Sequence, residues 1–156
     1  MWLNKTMTEQ PLTIRAYQDK DQSDLIALYQ LAFPHDPPWN DPADMIASKR
    51  MIDQDGLLVG LFDGKVIASV MAGYDGHRGW INCLAVHPHH RGQDLGKAMI
   101  DAAIDLMTAR GAVKVNLQIR GDNTSLQRYY ESLGFETEDR ISMGLLTRRG
   151  KAFQDQ

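Results

Sequence analysis

The chain reads as an α/β domain, with a mixed, mostly antiparallel sheet, one central parallel pair and helices on both faces. Three observations predict it. Asp63-Gly64 joins two apolar runs through a two-residue turn, the signature of a β-hairpin. Leu84-Ala85-Val86 passes through Pro88 into a segment where Leu95, Met99, Ala102, Ala103 and Leu106 recur at helical spacing. Val113 to Ile119 then alternates apolar residues with Lys114, Asn116 and Gln118. A strand, a helix and a second strand in this order give a right-handed crossover and a parallel pair, and the flanking hairpins are antiparallel.

In chain order, Leu12 to Tyr17 forms a first strand, followed by a helix from about Ser23 to Phe33 with Leu25, Leu28 and Ala32 inward. Pro34, Pro37 and Pro38 exclude a helix up to Asn40. Asp41-Pro42 supplies an N-cap and a first-turn proline for a second helix through Met45, Ile46, Lys49 and Ile52. Leu57 to Phe62 and Lys65 to Tyr74 are the hairpin arms, and a turn at Asp75-Gly76 leads into a strand from Trp80 to His87. The helix from Leu95 to Arg110 stops at Gly111. Asn123 caps a further helix whose Leu126, Tyr130 and Leu133 share a face, with Gly134 at its end. Ile141, Met143 and Leu145 alternate in the last strand of a closing hairpin.

A chain of 156 residues suits a single domain, set at 11–150, with a loose polar leader at 1–10 and a tail at 151–156. A net charge of -3 without a Lys/Arg stripe argues against nucleic acid as a partner. No apolar run approaches the ~18 residues of a membrane span, and with no disulfide pair to form the cytoplasm is the default compartment. Cys83, the single cysteine, reads as a small core residue. His87-Pro-His-His90 lies in one turn without carboxylate or thiol partners, so no metal site is expected.

A helix beginning at Arg91-Gly92-Gln93-Asp94-Leu95-Gly96-Lys97 aims unpaired N–H groups and a positive dipole end at whatever precedes it, and phosphate is the usual occupant. By itself the stretch is also compatible with a tight turn and an Asp cap. It resembles the acyl-CoA-binding signature of the GCN5-related N-acetyltransferases: Arg91, Leu95 and Gly96 keep the pattern, and Asp94 stands where the family has glycine. Asn123 to Phe135, with Tyr130 and Gly134 at the matching spacing, resembles the family's second motif. Pro38-Trp-Asn-Asp-Pro42, Gly73-Tyr-Asp-Gly-His-Arg-Gly79 and Val86-His-Pro88 are similar to its bacterial YpeA-type members. The likeness spans roughly Pro11 to Thr147.

The resemblance implies transfer of an acetyl group from acetyl-CoA, the acyl-donor substrate, to an amine. It also implies that the parallel pair splays and admits the pantetheine arm. Leu84 and Val86 would bond that arm through their backbone, with the Leu84 N–H polarising the thioester carbonyl; one such donor is worth roughly 3 kcal/mol. Arg91, Gly92, Asp94, Gly96 and Lys97 would meet the pyrophosphate, with Asn123 and Tyr130 completing the CoA side. Tyr130 is the implied proton donor to the departing thiolate, although an inward aromatic on a helix is also ordinary core. A lysine-like amine is less than ~0.1% neutral at pH 7, so a base or relay is needed. Asp75 and His77 are the candidates, with Asn82 or Trp80 positioning the amine and Trp39 closing over it. The partners implied are acetyl-CoA and a primary amine, from a small molecule or a peptide N-terminus, with homodimerisation left open. The competing reading is an acyl-CoA-binding module without turnover, favoured by Asp94.

Overall fold

Asp63 and Gly64 turn the chain at φ of 50° and 74°, a pair of left-handed residues that matches the twist of the strands they join. Around this hairpin the computed structural model, which describes residues 12–156, builds a five-stranded sheet in the order β1-β2-β3-β4-β5. The strands are β1 (Thr13–Ala16), β2 (Leu57–Phe62), β3 (Lys65–Tyr74), β4 (Gly79–Val86) and β5 (Val115–Leu117). The first four pair antiparallel and β4 pairs parallel with β5, as the crossover requires.

The helices are α1 (Gln22–Ala32), α2 (Pro42–Asp53), α3 (Leu95–Arg110), α4 (Thr124–Ser132) and α5 (Arg148–Ala152). Strand alternation sorts the core into two layers. Leu57, Val59 and Leu61 of β2 pack with Leu25, Leu28 and Tyr29 of α1 and Ile46 of α2. Leu58, Ala68, Val70 and Ala72 pack with Met99, Ile100, Ala103 and Met107 of α3 and Tyr130 of α4. Helices therefore cover both faces. Asp41 caps α2 by accepting the Asp44 N–H at 3.0 Å, with Pro42 in the first turn. Gly111, at φ 104°, ends α3.

α2 runs through Met45, Ile46, Lys49 and Ile52 as expected, with Lys49 donating to Ala72 O at 2.6 Å and Ile52 84% exposed. Three expectations need correction. Pro38–Asn40 forms one 3-10 turn inside the proline-rich stretch, a shape that proline allows at a first turn. β5 is confined to Val115–Leu117, because only these residues find partners on β4. The closing hairpin is absent: residues 136–147 form no strand, and Ile141, Met143 and Leu145 are 90–92% exposed. Alternation specifies a face, but a strand also needs a ladder partner, and this segment has none among the described residues. The expected boundary at 150 falls within α5, which Thr147 caps through Gly150. The leader at 1–10 lies outside the described residues. No helix among those described is long and apolar enough to cross a membrane.

Candidate active site

β4 contains one residue too many for its neighbour. Ser69 lies opposite Ala85 and Met71 opposite Asn82, so a two-residue step on β3 faces a three-residue step on β4. Cys83, at φ 53°, absorbs the surplus as a β-bulge. The bulge reverses the alternation: Ile81 before it and Leu84 and Val86 after it all pack on the α3–α4 side. Pairing with β5 runs through Gly79, Trp80 and Ile81 and stops there, so Asn82–Val86 is paired with β3 alone. Leu84 and Val86 thus lie in a half-strand whose other edge has no strand beside it among the described residues.

The chain leaves β4 through a 3-10 turn, Pro88–His90, and reaches α3 through Gly92 at φ 79° and Asp94 at φ 57°, ψ 21°. Asp94 does not act as the side-chain cap that its residue type suggests, because a capping Asp uses an extended backbone and this one is left-handed. The first intrahelical bond runs from Ala98 N to Asp94 O at 3.1 Å. The N–H groups of Leu95, Gly96 and Lys97 have no partner within the helix, and the Asp94 side chain takes none of them. Arg91 Nε donates to Val86 O at 3.4 Å, and Lys97 pairs with Asp101 at 2.6 Å, which holds the ammonium firmly protonated.

Gly96 explains its own identity. A Cβ there would stand 2.7 Å from Tyr129 Oη, so Tyr129, the neighbour of Tyr130, is the aromatic that reaches the start of α3. Burial and then the Asp94 and Asp101 carboxylates raise its pKa. Tyr130 points inward at 6% exposure, with its ring centroid 5.5 Å from Phe135 and from Tyr129, in the cluster against which Leu84, Val86 and Leu117 pack. Burial, and secondarily Tyr129, pushes its hydroxyl up to about 12. That hydroxyl makes no hydrogen bond among the described residues, and it is not one of the sealed polar atoms, which are Tyr29 Oη, His90 Nδ1 and Asn116 Oδ1. Asn123 is occupied as the cap of α4, accepting from Leu126 N at 3.2 Å.

Asp75 and His77 lie in the turn before Gly79, at the end of β4 that pairs with β5 and away from Leu84 and Val86. The Asp75 carboxylate accepts the Arg78 N–H at 2.7 Å, the His77 N–H at 2.9 Å and Trp80 Nε1 at 3.2 Å. Those donors, the backbone ones first, hold it below the usual carboxylate range, and so weaken it as a base. His77 is exposed, and its carbonyl accepts from Val113 N at 3.1 Å. From Gly79 to Leu84 the strand climbs five residues at about 3.3 Å each, so the turn stands roughly 16 Å from the Leu84 N–H. Trp80 is tied to the same turn through the Asp75 carboxylate.

On the α1–α2 side a cleft of about 360 Å³ opens between the end of α1 and the start of α2, lined among others by Tyr29, Phe33, Asp36, Asn40, Asp41 and Met45. Among the described residues that line it there is no lysine, arginine or histidine. Asn40 Nδ2 donates to Asp36 Oδ2 at 3.2 Å. Burial, with the Asp36 carboxylate adding to it, pushes the Cys83 thiol up to about 11, which keeps it protonated and inert near neutral pH. Tyr29 is 1% exposed, its pKa is raised by burial, and the Cys83 thiol adds to the rise, so the residues at the cleft reach the underside of the bulge. Trp39 is half-buried in the turn whose other members, Pro38 and Asn40, line the cleft; Trp39 itself does not. Asn82 is exposed beside the bulge. Asp36, Asn40 and Tyr29 were missed, and only the unusual Pro34–Pro42 composition could have drawn attention there.

The Acetyltransferase (GNAT) family model matches residues 22–135. An acetyltransferase of Sodalis glossinidius is 38% identical over 130 residues, covering 83% of this chain and 91% of the relative. One of Pectobacterium atrosepticum is 43% identical over 107 residues, 69% of this chain and 76% of the relative. Among solved structures, the aminoglycoside N-acetyltransferase AAC(6')-Iy in complex with CoA superposes with a TM-score of 0.72 at 20% identity, over 92% of this chain and 99% of the other. Ard1 from Thermoplasma volcanium gives 0.71 at 23% identity, over 80% and 82%. These two bear on the fold alone, but the sequence relatives and the family model bear on the activity. The chain belongs to the GNAT acetyltransferase family and is an N-acetyltransferase.

Proposed function

We propose that the chain transfers an acetyl group from acetyl-CoA to a small primary amine or peptide N-terminus that approaches as a cation through the α1–α2 cleft. The observation that carries this reading is the half-strand Asn82–Val86, left without a β5 partner directly below the uncapped start of α3. Pantetheine lies along the free edge as a surrogate strand, and the Leu84 N–H donates to the thioester oxygen as it gains charge. The pyrophosphate sits on the N–H groups of Leu95, Gly96 and Lys97, with Arg91 beside it.

Asp36 and Asp41 favour an ammonium in the cleft, whose described lining residues include no competing cation. The proton must leave before attack, and Asp36, next to Cys83 and open to solvent, passes it to water; this role replaces those considered for Asp75 and His77. The neutral nitrogen then attacks the carbonyl carbon and, now cationic, gives its second proton to water; the C–S bond breaks, and the sulfur takes one proton from water to leave as CoA thiol. Tyr130, whose hydroxyl stays protonated at all working pH values, donates the hydrogen bond that stabilises the thiolate as it departs. The binding-module alternative rested on Asp94, yet Asp94 adopts the left-handed backbone that suits the family's glycine, so the loop keeps its shape.

The test is CoA release over a panel of diamines, amino sugars, free amino acids and short peptides, run beside calorimetric titration with acetyl-CoA. Asp36→Asn should raise KM for cationic acceptors by roughly 10-fold and leave acetyl-CoA affinity unchanged. Equal KM in that variant would move the acceptor out of this cleft. Absence of any acetyl-CoA heat would remove the donor-site reading.

A further inference from the structure

Tyr129 spans from α4 to the first turn of α3. A Cβ on Gly96 would stand 2.7 Å from its hydroxyl oxygen and 3.8 Å from Val86 Cγ2, so the hydroxyl lies where the start of α3 meets the end of the half-strand. The ring packs on the α3–α4 side of the core, at 65° to the ring of Tyr130. One end of the side chain is therefore held by packing. The other end is free to donate: the hydroxyl makes no hydrogen bond among the described residues, and it is not one of the sealed polar atoms. Beside it stand the N–H groups of Leu95, Gly96 and Lys97, which have no partner within the helix. A cluster made of donors alone suits an anion.

The distances allow one acceptor to be shared. A Cβ lies about 2.5 Å from its own backbone nitrogen, so Tyr129 Oη is within roughly 5 Å of Gly96 N. One phosphate oxygen accepting from the N–H at about 2.9 Å and from the hydroxyl at about 2.7 Å spans that separation. Cations at this place are committed elsewhere. Lys97 is paired with Asp101 at 2.6 Å, Arg91 Nε donates to Val86 O at 3.4 Å, and Asp94 adds a negative charge where the family has glycine. Burial first, then the Asp94 and Asp101 carboxylates, keep the phenol protonated and so a donor. We propose that the Tyr129 hydroxyl donates a hydrogen bond to the diphosphate of acetyl-CoA, beside the Gly96 N–H. The inference rests on the acetyl-CoA site proposed for the same loop. A neutral donor suits a loop that carries Asp94, because it holds a phosphate oxygen without relying on net charge and works at any ionic strength.

Tyr129→Phe keeps the packed ring and removes the hydroxyl. Calorimetric affinity for acetyl-CoA should fall roughly 10- to 100-fold, equally at low and physiological salt, with kcat at saturating donor and the thermal melt unchanged. A series of donors, read as kcat/KM, locates the contact. The loss should be the same with 3′-dephospho-acetyl-CoA and absent with S-acetylpantetheine, which carries no phosphate. Equal affinity of wild type and variant for acetyl-CoA would mean that Tyr129 only packs, and overturns the proposal. A loss that disappears with the dephospho donor assigns the hydroxyl to the 3′-phosphate, and a loss that persists with S-acetylpantetheine, or a fall in kcat at saturation, assigns it to the pantetheine arm or the thioester; each overturns the proposal. A wild type that gives no heat with acetyl-CoA overturns the acetyl-CoA site itself and the proposal with it.

Discussion

Asp94→Gly is expected to tighten acetyl-CoA binding by up to about 10-fold while leaving thermal stability nearly unchanged. The residue sits at φ 57°, where an L side chain costs on the order of 1 kcal/mol, with Asp among the better tolerated. Glycine removes that strain but frees the unfolded chain by roughly 0.5–1 kcal/mol, so the two effects nearly cancel. No capping bond is lost, because the Asp94 side chain makes none. The electrostatic effect does not cancel. A carboxylate about 5 Å from a phosphate charge is repelled by ~3 kcal/mol at an effective dielectric of 20, and screening at physiological salt reduces this to about 1 kcal/mol. Lys97 offsets little, since its ammonium is already paired with Asp101. Calorimetric affinity of both forms at low and physiological ionic strength, beside differential scanning calorimetry, measures both quantities. Unchanged or weaker binding, or a gain independent of salt, would refute the reasoning and mean that the carboxylate stands clear of the phosphates.

Tyr130→Phe should lower kcat by roughly 10 to 10⁴-fold with little change in acetyl-CoA affinity. Because the hydroxyl is held at about 12, the alkaline limb of the pH–rate profile should lie below that value and be the same in both forms; identical kcat would return the side chain to the core. The Asp53 carboxyl, bonded to Arg110 at 2.8 and 2.9 Å and to Lys49 at 3.1 Å, is held at about 2. A depressed pKa gives stability that is complete above the unfolded value near 4 and lost as pH falls toward 2. With solvent screening this is about 1–2 kcal/mol, read as the part of the acid limb of a urea-melt series that Asp53→Asn abolishes. Gly56→Ala should cost about 3 kcal/mol or more, lowering Tm by roughly 6–12 °C, since a Cβ there would stand 2.3 Å from Ala72 O and 2.2 Å from Asp53 Oδ2.

Elements governed by local chemistry were readable from the chain. The Asp63-Gly64 hairpin has the predicted arms, Leu57–Phe62 and Lys65–Tyr74, and α3 has the predicted ends, Leu95 and Arg110. Turn type and helix caps depend on a few adjacent residues. What failed depends on distant partners. Ile141, Met143 and Leu145 alternate as a strand does, but alternation carries no information about whether another backbone arrives to pair with it. Asp75 and His77 have the residue types of a base, and residue type does not report that the climb of β4 separates their turn from Leu84 and Val86. Tyr129 and Tyr130 are neighbours of one residue type on one helix. Their different roles follow from rotation about the α4 axis, which turns one toward Gly96 and the other into the core.

The bulge at Cys83 joins the two sides of the site, and no motif marks it. Without the surplus residue, alternation from Ile81 would carry Cys83 and Ala85 to the α3–α4 side and send Leu84 and Val86 to the α1–α2 side. Instead Cys83 and Ala85 pack with Tyr29 behind the cleft, while Leu84 and Val86 pack toward Tyr130. The single step also falls where pairing to β5 stops at Ile81, so the strand changes its facing at the point where its outer edge becomes free. A cysteine suits the position for steric reasons. It is small enough to sit at φ 53° against the α1 layer, apolar enough to be partly buried there, and its thiol, pushed up to about 11, stays protonated near neutral pH. The facing of Leu84 and Val86 therefore depends on backbone geometry at a residue that no motif marks.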